Sequence, residues 1–334
     1  MKVLVTGGAG YIGSHCVRAL LDQGHTVTII DNLSTGYLQA IDSRAKFYNT
    51  DIRKFDKVMS ILINNNIEAV IHFAAFSLVG ESMHNPLKYY DNNVYGTKVL
   101  LDAMAEANVN KIVFSSTAAV YGAQDVMPIT EEVLETPSNA YGETKLAMEK
   151  MMKWSDIAND TKYVALRYFN VAGAHHSGEI GESHNPETHL IPLILQVPLG
   201  KREFISIFGT DYDTPDGTCI RDYIHIEDLI SAHIKALEYL DKGNESNTFN
   251  LGSGLGYSVL EMVEAARAVT GHEIPAKLAE RRAGDPARLI ASSDKAVKVL
   301  GWVRNYTDVK DIIASAWTFH LNFKEGFKND KHKY

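Results

Sequence analysis

The sequence predicts an α/β fold: a doubly wound parallel sheet with a smaller α+β lobe after it. Three observations carry that prediction. A strand, a glycine-rich turn, a helix and a second strand occupy the first thirty-one residues. Apolar runs then alternate with helical segments to about residue 170, as in parallel strands joined by right-handed helical crossovers. Beyond residue 170 the segments shorten, with scattered Gly, Pro and His. A chain of 334 residues suggests about two domains. They are read as 1–170 and 171–334, with the chain returning to the first around 221–251.

Residues 2–5 form an apolar first strand, followed by the turn Thr6-Gly7-Gly8-Ala9-Gly10-Tyr11-Ile12-Gly13. Glycines there let backbone approach a pyrophosphate, which sits at the positive end of the next helix. The second strand, residues 27–31, ends in Asp31, 18 residues beyond Gly13. A carboxylate at that place accepts hydrogen bonds from the adenosine ribose. The glycine spacing is weak by itself; the strand before, the helix after and the acid make it a Rossmann-type dinucleotide site. Asp31 favours NAD over NADP, because a carboxylate repels a 2′-phosphate and no Arg stands directly beside it.

Residues 46–48 read as a third strand, followed by Asp51, Ile52 and Arg53, and residues 55–65 as a helix. Residues 69–73 are a fourth strand, opening into Ala74, Ala75 and Phe76. Residues 87–107 read as one long helix, and 111–115 and 163–167 as the fifth and sixth strands. Ligands in such a sheet bind at the carboxyl ends of the strands. In the second lobe, 190–199 and 259–269 read as helices and 205–208 and 248–251 as strands.

Hydrophobic content of 45% and charged content of 22% describe a globular chain. A net charge of −8 argues against a nucleic-acid partner. No apolar run approaches the roughly 20 residues needed to cross a bilayer, and the first residues form a strand and show no secretion signal. Two distant cysteines, Cys16 and Cys219, suggest a reducing, cytoplasmic compartment with no disulfide framework.

The chemistry is concentrated in two short stretches. Tyr141 and Lys145 are four apart, which places both on one face of a helix. Thr117 follows the fifth strand and puts a hydroxyl at the sheet's carboxyl edge, beside the expected nicotinamide. A phenol titrating near pH 10 is ionised only to about a thousandth at neutral pH, a shortfall of roughly 4 kcal/mol. An ammonium about 6 Å away contributes on the order of 2–3 kcal/mol at an effective dielectric near 20. Tyr141 is then a usable base for a substrate hydroxyl as hydride leaves its carbon, with Thr117 bonded to that same hydroxyl.

The glycine turn, the Tyr141/Lys145 pair and Tyr121-Gly122 resemble the extended short-chain dehydrogenase/reductases. More narrowly, Asp31-Asn32-Leu33, Gly80-Glu81-Ser82, Tyr89-Tyr90-Asp91-Asn92-Asn93-Val94, Arg167-Tyr168-Phe169-Asn170 and Arg221-Asp222-Tyr223-Ile224-His225 resemble the UDP-glucose 4-epimerase family, nearly end to end. The resemblance implies tightly held NAD, interconversion of UDP-glucose and UDP-galactose, and a homodimer packed through helices around 90–107 and 141–155. It assigns cofactor contacts to Gly7, Gly10, Tyr11, Ile12, Gly13, Asp31, Asn32, Asp51, Ile52, Phe73, Ala74, Ala75, Asn92, Thr117, Tyr141, Lys145 and Phe169. It assigns substrate contacts to Thr117, Tyr141, Asn170, His189, Leu190, Arg221, Arg282, Asp285 and Leu289, with Arg221 and Arg282 neutralising the diphosphate and Leu289 gating the sugar pocket. Thr117 stands where Ser is common, Ser77 where some relatives carry Lys, and His189 where several carry Asn. The alternatives are an N-acetylhexosamine epimerase or a dehydratase of the same superfamily. Such dehydratases carry Asp-Glu where this chain has Ala118 and Ala119. A catalytically silent NAD sensor is a third reading, and the Tyr141/Lys145 pair speaks against it.

His175, His176, His184 and His189 are dense, but their spacing follows no metal-site pattern. With no acidic partner placed to finish a site, they read as a loop lining the nucleotide cleft, and no metal is expected.

Overall fold

The computed structural model describes residues 1–281 and 285–328. The first half runs β1 (Lys2–Thr6), α1 (Tyr11–Asp22), β2 (Thr26–Asp31), β3 (Lys46–Asn49), α2 (Phe55–Asn64) and β4 (Ala69–His72). It continues with α3 (Val79–His84), α4 (Pro86–Tyr89), a π-helical segment Tyr90–Tyr95, α5 (Gly96–Glu106), β5 (Lys111–Ser115), α6 (Ala140–Asn159) and β6 (Lys162–Tyr168). The second half comprises β7 (Asn170–Ala172), α7 (Leu190–Leu195), β8 (Ile205–Phe208), β9 (Ile220–Arg221), β10 (Tyr223–His225), α8 (Ile226–Asp241), β11 (Asn247–Leu251) and β12 (Tyr257–Ser258). It ends with α9 (Val259–Thr270), β13 (Ala276–Ala279), β14 (Arg288–Leu289), α10 (Asp294–Leu300) and α11 (Val309–Asn322).

Among the described residues, seven strands form one sheet in the order β11-β6-β5-β4-β1-β2-β3. Every neighbouring pair is parallel. The order reverses at β1, between β2 and β4, and a doubly wound sheet opens its ligand crevice at such a reversal. Helices cover both faces, so the strands are buried on both sides and read as near-continuous apolar runs. Val3 and Val5 join Val17, Leu20, Leu229 and Leu237 on one face, with α1 and α8. Leu4 joins Val58, Leu62, Leu100, Met104 and Met152 on the other, with α2, α5 and α6.

The strand readings of the first half hold to within a residue or two. The helix expected at 87–107 is interrupted: six residues, Tyr90–Tyr95, adopt π-helical geometry between α4 and α5. Helix α8 was not read from the sequence, although it carries the crossover that brings β11 alongside β6. The second lobe is built on α7, α9 and α11, whose Ile191, Leu195, Met262, Val263, Ile312 and Ile313 share one core. Small sheets β12-β9-β14, β13-β8 and β10-β7 complete it.

Candidate active site

The glycine turn is shaped by contacts that leave no room for a side chain. Gly7 has φ +75°, and a Cβ there would lie 2.7 Å from the Ala74 nitrogen. A Cβ on Gly13 would lie 2.1 Å from the Gly7 carbonyl oxygen, so α1 starts directly against the turn. Gly10 accepts the first helical bond, from Ser14 N at 2.9 Å. Asp31, at the end of β2, accepts from Ala9 N at 3.0 Å and from Leu33 N at 2.7 Å. Burial raises the Asp31 pKa and these two bonds oppose the rise. A fixed carboxylate beside a turn stripped of Cβ atoms fits a dinucleotide.

The rim of this crevice gathers most of the other expected cofactor positions. Asn32 donates to Asp51 at 2.9 Å, and Asp51 is held well below the usual carboxylate range, chiefly by its hydrogen bonds from the Arg53 guanidinium. Phe73 N bonds Thr6 O at 3.0 Å, and its ring packs 4.9 Å from that of His233. Ala74 backs Gly7, and Ala75 follows half-buried. Asn92 is buried on the π-helical segment, a distortion that recurs at functional sites because it re-aims side chains. Tyr11 donates across to Gly173 O at 2.7 Å, tying the turn to the second lobe. Ile52 is buried against Gly96, and Ile12 packs on the core.

The catalytic candidates converge at the carboxyl end of β5. Thr117 caps the 3₁₀ turn Ala118–Tyr121 and accepts from Ala119 N at 3.1 Å. Tyr141 lies in the first turn of α6, whose N-cap Asn139 accepts from Gly142 N at 2.9 Å. Lys145 Nζ stands 5.9 Å from the Tyr141 ring centre and donates to Ser115 O at 2.8 Å. Burial pushes the Tyr141 phenol up to about 12, against a hydrogen bond with Thr117 that lowers it. Burial also brings Lys145 down to about 7, opposed by the charge of Glu149. The expected ammonium that activates the phenol is therefore not the leading influence. Both groups are pushed towards their neutral forms, because the pocket is dry.

The comparisons with known proteins are decisive at this point. A model of the NAD dependent epimerase/dehydratase family matches residues 3–252. The chain belongs to this family. A UDP-glucose 4-epimerase of Lacticaseibacillus casei is 55% identical over 327 residues, covering 98% of this chain and 99% of that protein. A crystal structure of a UDP-glucose 4-epimerase superposes with TM-score 0.97 at 57% identity, covering 98% of this chain and all of the other. The Bifidobacterium longum UDP-glucose 4-epimerase, solved with NAD+ and UDP, matches with TM-score 0.92 at 40% identity, covering 98% and 100% of the two chains.

In this member of the NAD dependent epimerase/dehydratase family, the remaining candidates divide. Phe169 and Leu289 pack on one cluster with Tyr121 and Leu146, which brings the second lobe's Leu289 to the catalytic loop. Asn170 donates to Asp222 O at 3.0 Å, and Arg221 lies 3.5 Å from the Asp285 carboxylate. Leu190 begins α7 and packs on the second-lobe core. Arg282 lies outside the described residues. His189 turns its Nδ1 to Glu182 at 2.9 Å and Glu187 at 3.0 Å. The reading that no acid stands near the histidines is corrected: Glu182 and Glu187 meet His184 and His189, and Glu227 meets His175 and His176. Glu182 and Glu187 stand two residues before His184 and His189, whereas Glu227 reaches His176 from 51 residues away and meets it only through folding.

Two functional positions escaped sequence reasoning in their roles. Asn93 accepts from Phe76 N at 2.8 Å and donates to Phe76 O at 3.0 Å and Thr144 at 3.2 Å, joining the loop after β4 to α6. Ser82 accepts from Tyr141 N at 3.1 Å and so fixes the backbone at the start of α6. Both belong to motifs quoted for the resemblance, but nothing in their spacing announces these partners.

Proposed function

We propose that the protein is a UDP-glucose 4-epimerase. It interconverts UDP-glucose and UDP-galactose by oxidation at C4, rotation of the 4-keto sugar, and return of hydride to its other face. The observation that carries this reading is the meeting of Thr117, Tyr141 and Lys145 at the end of β5, two strands from the glycine turn. The relatives bearing that activity match essentially the whole chain.

Gly7, Gly10 and Gly13 cradle the pyrophosphate and Asp31 takes the adenosine ribose, with Asn32, Asp51, Phe73 and Asn92 around them. Bound there, NAD supplies the hydride acceptor and donor. Tyr141 takes the proton of the sugar 4-hydroxyl, Thr117 orients that hydroxyl, and Lys145 balances the charge left on the phenol. Dry walls make both charges costly alone and mutually favourable together. Arg221 and Arg282 grip the diphosphate, while Phe169 and Leu289 offer the sugar apolar walls with little hold. A firm grip on UDP and a loose one on the hexose is what rotation requires. The first lobe thus serves the cofactor and the second the substrate.

Incubation of the purified protein with UDP-galactose tests the reading. UDP-glucose formed without added reductant is the expected product. A deoxy-keto sugar identifies a dehydratase, against which Ala118 and Ala119 stand, lacking the carboxyl groups elimination needs. No product at all identifies a binding protein.

The proposal extends to a cytoplasmic homodimer. Leu87, Tyr90 and Tyr95 are exposed by 79%, 42% and 49%, and Trp154 and Ile157 of the adjacent α6 by 66% each. This apolar surface lies on the two helical regions named by the resemblance. Buried thiols at Cys16 and Cys219 suit a reducing compartment.

A further inference from the structure

The loop that leads into α7 gathers four metal-ligating side chains outside the catalytic trio. Glu182, His184, Glu187 and His189 each offer one ligand atom, and all four atoms lie within 4.8 Å of one another. Glu182 Oε1 is 3.1 Å from His184 Nδ1 and 2.9 Å from His189 Nδ1. Glu187 oxygens are 3.0 Å from His189 Nδ1 and 3.7 Å from His184 Nδ1. A tetrahedral ion with bonds of about 2.0–2.1 Å spaces its ligands roughly 3.3 Å apart. These separations bracket that edge.

Two further observations point to a cation. The carboxylate side chains are only 6% and 8% exposed, so two anions are buried side by side. Buried charge must be paired or bound to metal, and the groups that face these two carboxylates are His184 and His189, the other two members of the set. The His184 Nδ1 atom is itself buried and makes no hydrogen bond, despite its nearness to Glu182.

We propose that Glu182, His184, Glu187 and His189 form a tetrahedral site for a divalent transition ion, best suited to zinc. Two carboxylates and two neutral imidazoles around a doubly charged ion leave no net charge in the buried site. The N₂O₂ set suits a borderline ion, and tetrahedral geometry selects zinc over copper or nickel. All four protein ligands close the site, which makes it structural. The His184 ring meets the Tyr11 ring edge-on at 6.3 Å, so the ion staples this loop beneath the glycine turn and steadies the start of α7.

The test uses the full chain, stripped with a chelator and then titrated with zinc against a chromogenic competitor, and separately with cobalt. One zinc per chain and intense visible bands from tetrahedral cobalt are expected. His184→Ala and His189→Gln should abolish those bands. Each should weaken zinc binding by more than the roughly 10–100-fold that an outer-shell change costs. His176→Ala, at an exposed neighbouring histidine, should leave both unchanged. Circular dichroism guards against misfolding, and the half-exposed His189 provides the milder variant. Zinc uptake no greater than in His184→Ala and His189→Gln, or the weak bands of octahedral cobalt, would each overturn the proposal.

Discussion

At the scale of single residues, burial sets the opposing pKa shifts of Tyr141 and Lys145. Tyr141→Phe removes the hydroxyl proposed to take the substrate proton. Turnover should fall by about 10²–10⁴-fold while the NAD content of the purified protein stays near normal, measured by absorbance after denaturation. Lys145 leaves a thermodynamic mark of its own. Its pKa drops from 10.5 in the open chain to about 7 when buried. Between about pH 7 and 10 the unfolded chain therefore binds a proton that the folded one lacks, so this residue makes stability rise with pH over that window. Urea unfolding of cofactor-stripped Lys145→Met should show a flatter pH slope than the parent. Leu289 and Phe169 both pack on the cluster formed by Ala118, Val120 and Tyr121 after β5. Leu289→Tyr should depress kcat/KM for UDP-N-acetylgalactosamine more than for UDP-galactose; equal losses in a product assay would remove it as a gate.

At the scale of elements, the first strands and the glycine turn were legible because local chemistry fixes them. Val3 to Val5 are buried on both sides, and no other structure suits so short an apolar run before glycines. The π-helical segment was not legible. Its sequence carries helical signals throughout, and the detour at Tyr90–Tyr95 is settled by partners 17 and 51 residues away from Asn93. Asn93→Ala would strand the partly buried Phe76 backbone groups. Denaturant unfolding should report a loss of about 1–3 kcal/mol, with cofactor retention falling as the loop after β4 loosens. The histidine-rich loop was misread for a similar reason: sequence spacing showed imidazoles, and only the folded loop turns Glu182 and Glu187 towards them.

At the scale of the whole molecule, the segment after α10 is tied to α8 on the face of the sheet by buried polar anchors as well as by apolar packing. The Asp228 carboxylate on α8 accepts from Asn305 N at 2.8 Å and Tyr306 N at 3.0 Å, and Trp302 donates to Asp228 O at 3.0 Å. The exposed face of α4, the π-helical segment and α6 is the opposite case, an apolar surface with a second subunit as its proposed cover. Trp154→Glu should shift sedimentation velocity towards a single chain without altering the far-ultraviolet circular dichroism, since Trp154 is 66% exposed in one chain. Unchanged sedimentation would place any interface elsewhere. By itself the sequence determined the parallel sheet and the glycine turn, and it pointed to the Tyr141/Lys145/Thr117 constellation and the family. Each rests on near neighbours in the chain: a strand leading into glycines, a carboxylate ending the next strand, two side chains one helical turn apart. Tertiary structure alone decided the burial that pushes the Tyr141 phenol up and the Lys145 amine down, the π-helical detour, the approach of Leu289 to the loop after β5 and the carboxylates around His184 and His189. Those depend on burial and on contacts between distant segments, whose free energy exists only once the chain has closed around them.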